Sequence, residues 1–238
     1  MIKKPVEIIV FDNQISKDQD PLLLPFIGIL AGGVGSGKTN VILSLMKHWT
    51  KNKIFHKAVF FTPNGKFDDK LEKNLSKKVI ITEDIEELKK EMNDSMSKRE
   101  ENKKYRTLMI LDDVCVDNTV FPSCNQQTEL CHRLVSVRHL GFTVLITSHS
   151  WKQIPKIIRL NARFSMIWSV ADEEVDAIAK DLTITKKIFK EYYDEYTVVS
   201  HSFITYDRIS KVLYEELGNK VLYKKEQTTS KNKKQANK

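Results

Sequence analysis

FIGILAGGVGSGKTNVILSLMKHW, running from Phe26 to Trp49, is the stretch that decides the fold. Its opening, Phe26 to Ala31, is apolar and uncharged, which predicts a strand buried on both faces. Its close, Lys38 to Trp49, sets Val41, Ile42, Leu45, Met46 and Trp49 on one helical stripe, which predicts a helix packed against a sheet. Between them, Gly32-Gly33-Val34-Gly35-Ser36-Gly37-Lys38-Thr39 fits the pattern G-x-x-x-x-G-K-[ST] in the strand-turn-helix setting that the pattern requires.

The chemistry of that loop follows from its residue types. Glycines let the backbone curl so that amide N–H groups point inward at a phosphate, and the helix N-terminus behind them adds positive potential. Lys38 supplies a compact charge for the β- and γ-phosphates, and the Thr39 hydroxyl is a ligand for a bridging Mg2+. The expected nucleotide contacts are Gly32, Gly33, Val34, Gly35, Ser36, Gly37, Lys38, Thr39 and Asn40, with ATP and Mg2+ as the ligands.

Working outward, Leu108-Met109-Ile110-Leu111-Asp112-Asp113 is a buried strand ending in two carboxylates. On its own such a pair reads as a turn; downstream of a phosphate loop it reads as a Walker B motif. Asp112 is then the metal-holding acid and Asp113 the group that orients or deprotonates the attacking water. Phe142 to Thr147 is a third apolar strand, and Thr147, Ser148 and His149 at its end are the candidates for sensing the γ-phosphate. Arg138, Arg159 and Arg163 flank this strand and the next. Each could serve an ordinary ion pair, or act in a neighbouring subunit's site, as arginines do in ring ATPases.

Further strands are expected at Val6 to Phe11, Lys57 to Thr62, Val79 to Thr82 and Phe164 to Trp168. Ser123 is a candidate N-cap for a helix with Leu130, Leu134 and Val137 on its stripe and Gly141 as its C-terminal stop. The polar stretch Asn64 to Lys104 holds one amphipathic helix, with Ile85, Leu88 and Met92 inward. Helices follow at Asp172 to Leu182 and Lys186 to Tyr193, and Thr197 to Tyr206 alternates like a small strand pair. This predicts an α/β P-loop NTPase with a mainly parallel central sheet of the RecA/FtsK kind. Residues 1–223 form one domain, with a core at 26–168 and a C-terminal helix and strand-pair appendage at 169–223.

Composition bounds the reading. The chain has 238 residues, 41% of them hydrophobic, enough for a full core, and it carries no apolar run long enough to span a bilayer and no secretion signal. Cys115, Cys124 and Cys131, with His132, match no zinc spacing and suit inert thiols in a reducing compartment. Of the formal charge of +8, the segment Lys224 to Lys238 carries six lysines against Glu226. That basic tail, 224–238, reads as a solvated, disordered terminus that can also neutralise nucleic-acid phosphates.

GGVGSGKT, LMILDD, SVRHLGFTVLITSHS and IPKIIRLNARFSMIW, taken in this order, resemble the poxvirus-type DNA-packaging ATPases of the FtsK/HerA superfamily, over about Phe26 to Trp168. The resemblance implies a homo-oligomeric ring, a pentamer or hexamer, that moves double-stranded viral DNA into a capsid. It implies capsid or portal-vertex proteins as partners and the virion or a viral factory in the host cytoplasm as location. It gives Lys38, Asp112 and Asp113 the roles already stated and matches the arginine acting in trans to Arg138, with Arg159 in reserve. Where many members end the sensor strand in glutamine, this sequence reads Thr147-Ser148-His149. Two alternatives remain open at this stage: a P-loop small-molecule kinase, against which stands the lack of an arginine-rich lid, and a nucleotide-dependent assembly scaffold that hydrolyses weakly.

Overall fold

The computed structural model describes residues 25–63, 79–114, 121, 129–218 and 220–224. Nine strands make one sheet: β1 (Ile27–Ala31), β2 (Lys57–Phe61), β3 (Val79–Thr82), β4 (Thr107–Leu111), β5 (Phe142–Ser148), β6 (Phe164–Ile167), β7 (Ile204–Asp207), β8 (Val212–Glu215) and β9 (Lys220–Lys224). Their order is β3-β2-β4-β5-β1-β6-β7-β8-β9. Pairings from β3 through β6 are parallel, and those from β6 through β9 are antiparallel.

The helices are α1 (Lys38–Lys51), α2 (Ile85–Glu101), α3 (Glu129–Val135), α4 (Val137–Leu140), α5 (Lys156–Asn161), α6 (Asp172–Leu182) and α7 (Lys186–Tyr196). They cover the sheet unevenly. Ile27, Ile29, Met109, Leu111, Val144 and Ile146 face a core completed by α2 to α7. Phe26, Leu30, Leu108, Ile110 and Leu145 face the other way, onto Val41, Ile42, Leu45, Met46 and Trp49 of α1. Alternate residues of one strand thus feed two cores, which is why these strands are apolar at every position.

The expected elements recur with specific differences. The α1 stripe holds Val41, Ile42, Leu45, Met46 and Trp49 as read from spacing. The polar stretch yields α2, capped by the Asp84 carboxylate, which accepts from Glu86 N at 2.9 Å. The helix ending at Gly141 is two short pieces, with Gly141 in the left-handed C-terminal position (φ 74, ψ 20). The strand at Val6 to Phe11, the cap at Ser123, Cys115, Cys124 and the tail beyond Lys224 lie outside the described residues.

The C-terminal strand pair needs correction. Residues 197–203 form a turn region, and the strands begin at Ile204. Three strands extend the main sheet where two peripheral ones were expected, and Lys224 ends β9. Alternation in Thr197 to Tyr206 misled because Val198 and Val199 are apolar yet exposed.

Candidate nucleotide site at the sheet edge

All parallel strands end on one edge, and the register brings the proposed groups to the same level. Ala31 pairs with Ser148 and with Ile167, and Leu111 pairs with Ile146. The ladder continues into the loops: Gly32 N donates to Ser148 O (3.1 Å) and Trp168 N to Ala31 O (2.9 Å). β5 stands between β1 and β4, so the phosphate loop and the aspartates are one strand apart, with the Thr147 region between them.

The loop uses its glycines at specific places. Gly35 (φ 73) and Gly37 (φ 107) adopt the left-handed backbone that side-chain-bearing residues avoid. Gly32 is required by space, since a Cβ there would stand 2.6 Å from Trp168 Cβ and 3.0 Å from Ser36 Oγ. A Cβ on Gly33 or Gly35 would meet nothing within 4 Å, and Val34 is exposed, so the outer rim of the loop is open.

Lys38 is buried, and its ammonium donates to Gly32 O (2.6 Å) and Gly33 O (3.0 Å). Burial pulls its pKa below the usual lysine range, an effect opposed by the charges of Asp113 and Asp112. Its Nζ lies 3.4 Å from His149 Nδ1, and His149 Nε2 lies 3.0 Å from Asp113 Oδ2. Lys38, His149 and Asp113 therefore form a continuous line across the edge.

Thr147 locks the acidic corner. Its hydroxyl donates to Asp112 Oδ1 (2.7 Å) and accepts from Asp113 N (2.8 Å). Asp113 itself sits at φ 53, a conformation that aspartate tolerates better than most residues. Burial raises the Asp112 pKa, the Asp113 charge adds to the rise, and Thr147, Lys38 and His149 oppose it. Asp113 Oδ1 and Ser36 Oγ are buried with no hydrogen-bond partner among the described residues. A buried carboxylate oxygen and a buried hydroxyl left without partners are what a ligand-bearing site retains.

Of the three sensor candidates, His149 alone contacts both Lys38 and Asp113. Thr147 is committed to the aspartates, and Ser148 Oγ serves the turn, donating to Ser150 O (2.8 Å) and accepting from Ser150 N (3.2 Å). Thr39 is half-buried on the first turn of α1, and Asn40 is exposed, its carbonyl accepting from Ser44 Oγ at 2.9 Å.

Arg138 does not join the site within this chain. It is exposed on α4, before the first residue of β5, while His149 follows the last. Seven strand residues separate the two ends, about 20 Å at strand rise. Arg138 lines a basic cavity there with Arg163 and Arg208. The reserve, Arg159, is an internal clamp: it is ion-paired with Asp181, donates to Ile154 O (2.9 Å) and lies over the Trp151 ring. Arg163 pairs with Asp207 at 3.4 Å.

Sequence reading missed three supports. Glu174 of α6 is buried and accepts from Trp151 N (3.1 Å), Lys152 N (3.2 Å) and the Ser150 hydroxyl, holding the loop that carries His149. Trp168 packs under Gly32, and His201 approaches the loop from the far side, Nδ1 3.3 Å from Ser36 O. An acid in a helix's first turn and a tryptophan ending a strand are too common to signal these roles.

Comparison with known proteins gives the family and the fold. The family model described as Poxvirus A32 protein matches residues 16–194. The genome packaging NTPase B204 from Sulfolobus turreted icosahedral virus 2, solved with ATP-gammaS, is 19% identical with a TM-score of 0.62, covering 81% of this chain and 96% of that one. B204 from Sulfolobus turreted icosahedral virus, described as the DNA-packaging ATPase, is 16% identical (TM-score 0.63, 81% and 97% covered). The pCW3 conjugation coupling protein TcpA with ATPgS is 17% identical (TM-score 0.50, 84% and 59% covered). At such identities these likenesses speak for the fold, a P-loop NTPase built on a mainly parallel sheet. No curated protein sequence matches the chain.

Proposed function

The chain belongs to the poxvirus A32 protein family, and from that premise we propose that it is an ATP-hydrolysing motor that moves double-stranded viral DNA into a capsid. The observation that carries the reading is the line Lys38–His149–Asp113 beside a glycine cradle. The B204 likenesses, whose descriptions name genome packaging and ATP analogues, support the same direction.

In this reading the loop amides and Lys38 bind the triphosphate, with Lys38 exchanging its two carbonyl contacts for phosphate oxygens. Asp113, through the oxygen left without a partner, orients the attacking water and accepts its proton. His149, touching both groups, reports whether the terminal phosphate is present. Thr147 keeps the two aspartates in different roles by fixing Asp112 and the Asp113 backbone.

Thr39 and Asp112 are the residues that would hold Mg2+, which when bound neutralises phosphate charge. Among the described residues no group of three or more His, Cys, Asp or Glu side chains could hold a metal by itself. A site shared between few protein ligands and phosphate oxygens suits Mg2+.

A homo-oligomeric ring explains Arg138. Exposed and remote from its own cleft, it acts on the nucleotide of the adjacent subunit. Capsid or portal-vertex proteins and a viral assembly site complete the proposed setting, and no helix of the described residues is long and apolar enough to cross a membrane.

The test is ATP turnover with and without double-stranded DNA across a salt series. We expect DNA to stimulate turnover, and Asp113→Asn to cut it by about 10²-fold or more while nucleotide still binds. Turnover indifferent to DNA at every salt concentration counts against the motor.

A further inference from the structure

The order of the strands gives the site a polarity. Asp112, Asp113 and His149 follow β4 and β5, which lie on one side of β1, and β6 and β7 lie on the other. A triphosphate whose terminal phosphate faces Asp113 and His149 therefore sends its nucleoside across the loop toward β6 and β7. Because β7 is antiparallel to β6, the turn that enters β7 returns to the functional edge.

That turn is well anchored and exposes two valines beside Ser200 and His201. Ser202 N donates to Val199 O (3.0 Å), closing it, and His201 holds a left-handed backbone at φ 74. From beneath, Trp168 Nε1 donates to His201 O (3.2 Å), and the Trp168 and Phe203 rings stack at 4.3 Å. His201 stands against the phosphate loop, with Nδ1 3.3 Å from Ser36 O and the imidazole 3.6 Å from where a Cβ on Gly37 would be. Val198 and Val199 are 78% and 67% exposed, and among the described residues only Val34 is a more exposed large hydrophobic side chain. Such surface gains nothing from phosphate, but it suits a flat, apolar ligand group beside the cradle.

We propose that the turn Val198–Ser202 is the base-side wall of the nucleotide site, with His201 and Val199 holding the purine base. This rests on reading the Lys38 loop as a phosphate cradle and adds where the rest of the nucleotide lies. The imidazole offers a ring face for stacking, and the valine methyls cover the base from water.

Two probes separate the base from the phosphates: ATP, and inorganic tripolyphosphate, each titrated with Mg2+ into the full chain by calorimetry. His201→Gly keeps the backbone conformation and removes the ring; V198S/V199S alters exposed side chains and leaves the fold alone. We expect each variant to weaken ATP about tenfold relative to wild type, with tripolyphosphate affinity unchanged in V198S/V199S and less affected than ATP in His201→Gly, whose ring also contacts the loop. Equal loss for both probes means the turn only shapes the loop, and no loss for either means it touches nothing; each overturns the proposal while the cradle stands. Wild-type protein that binds neither probe removes the cradle and this proposal together.

Discussion

Between Ile27 and Ile167 every strand runs the same way, whereas from Ile204 onward neighbouring strands alternate in direction. The first arrangement sends every strand end to one edge, so residues far apart in sequence, Lys38, Asp113 and His149, meet there. The second returns only every other connection to that edge, the turn holding His201 among them. Parallel construction concentrates chemistry, and antiparallel construction buttresses it: Trp168 stacks on Phe203, and Arg163 pairs with Asp207.

The largest effect that tests this division is Lys38→Ala. Among the described residues its ammonium contacts loop carbonyls and His149 alone, and burial already disfavours its charge. We expect ATP turnover to fall by about 10²-fold or more, with the thermal midpoint unchanged or slightly raised. A variant that melts well below wild type would make Lys38 part of the scaffold and blur the two halves.

Glu174→Ala should do the reverse. Its carboxylate, 4% exposed, serves two backbone amides and the Ser150 hydroxyl. Removing it leaves the buried Trp151 amide unpaired and frees the other two donors, a cost of about 1–3 kcal/mol in denaturant unfolding. Glu174→Gln keeps an accepting oxygen and should recover part of it. Unchanged stability in the alanine variant would mean that the loop carrying His149 is held by its strand alone.

The same contrast governs what sequence could reveal. Phe26 to Ala31 and Leu108 to Leu111 announce themselves because burial on both faces removes every polar residue. The phosphate loop is legible because Gly35 and Gly37 answer backbone demands that few residues meet. In the antiparallel half β8 and β9 have mixed burial, and exposed Val198 and Val199 imitate a strand. The Thr147 bridge was illegible for another reason, since a hydroxyl at a strand end has no distinguishing pattern until Asp112 and Asp113 stand beside it. An ion pair for Arg159 is an open reading of the sequence, but its partner could not be named because Asp181 is 22 residues away.

The smallest effect is a matter of pH. Burial favours the neutral acid at Asp112, so its carboxyl titrates higher in the folded chain than the ordinary 3.8 of the unfolded one. Below 3.8 both states hold the proton and the group contributes no pH dependence. As pH rises the unfolded chain releases its proton first, so stability falls until the folded carboxyl also ionises; beyond that point the penalty is constant. Asp112→Asn removes the penalty and retains an oxygen to accept from Thr147. The melting temperatures of variant and wild type should therefore coincide at about pH 3 and separate by pH 7 in the variant's favour. The separation is small because Thr147, Lys38 and His149 already oppose the burial. A gap of the opposite sign at pH 7 would mean that the parallel edge stabilises the charged carboxylate, and that its acidic corner costs the fold nothing.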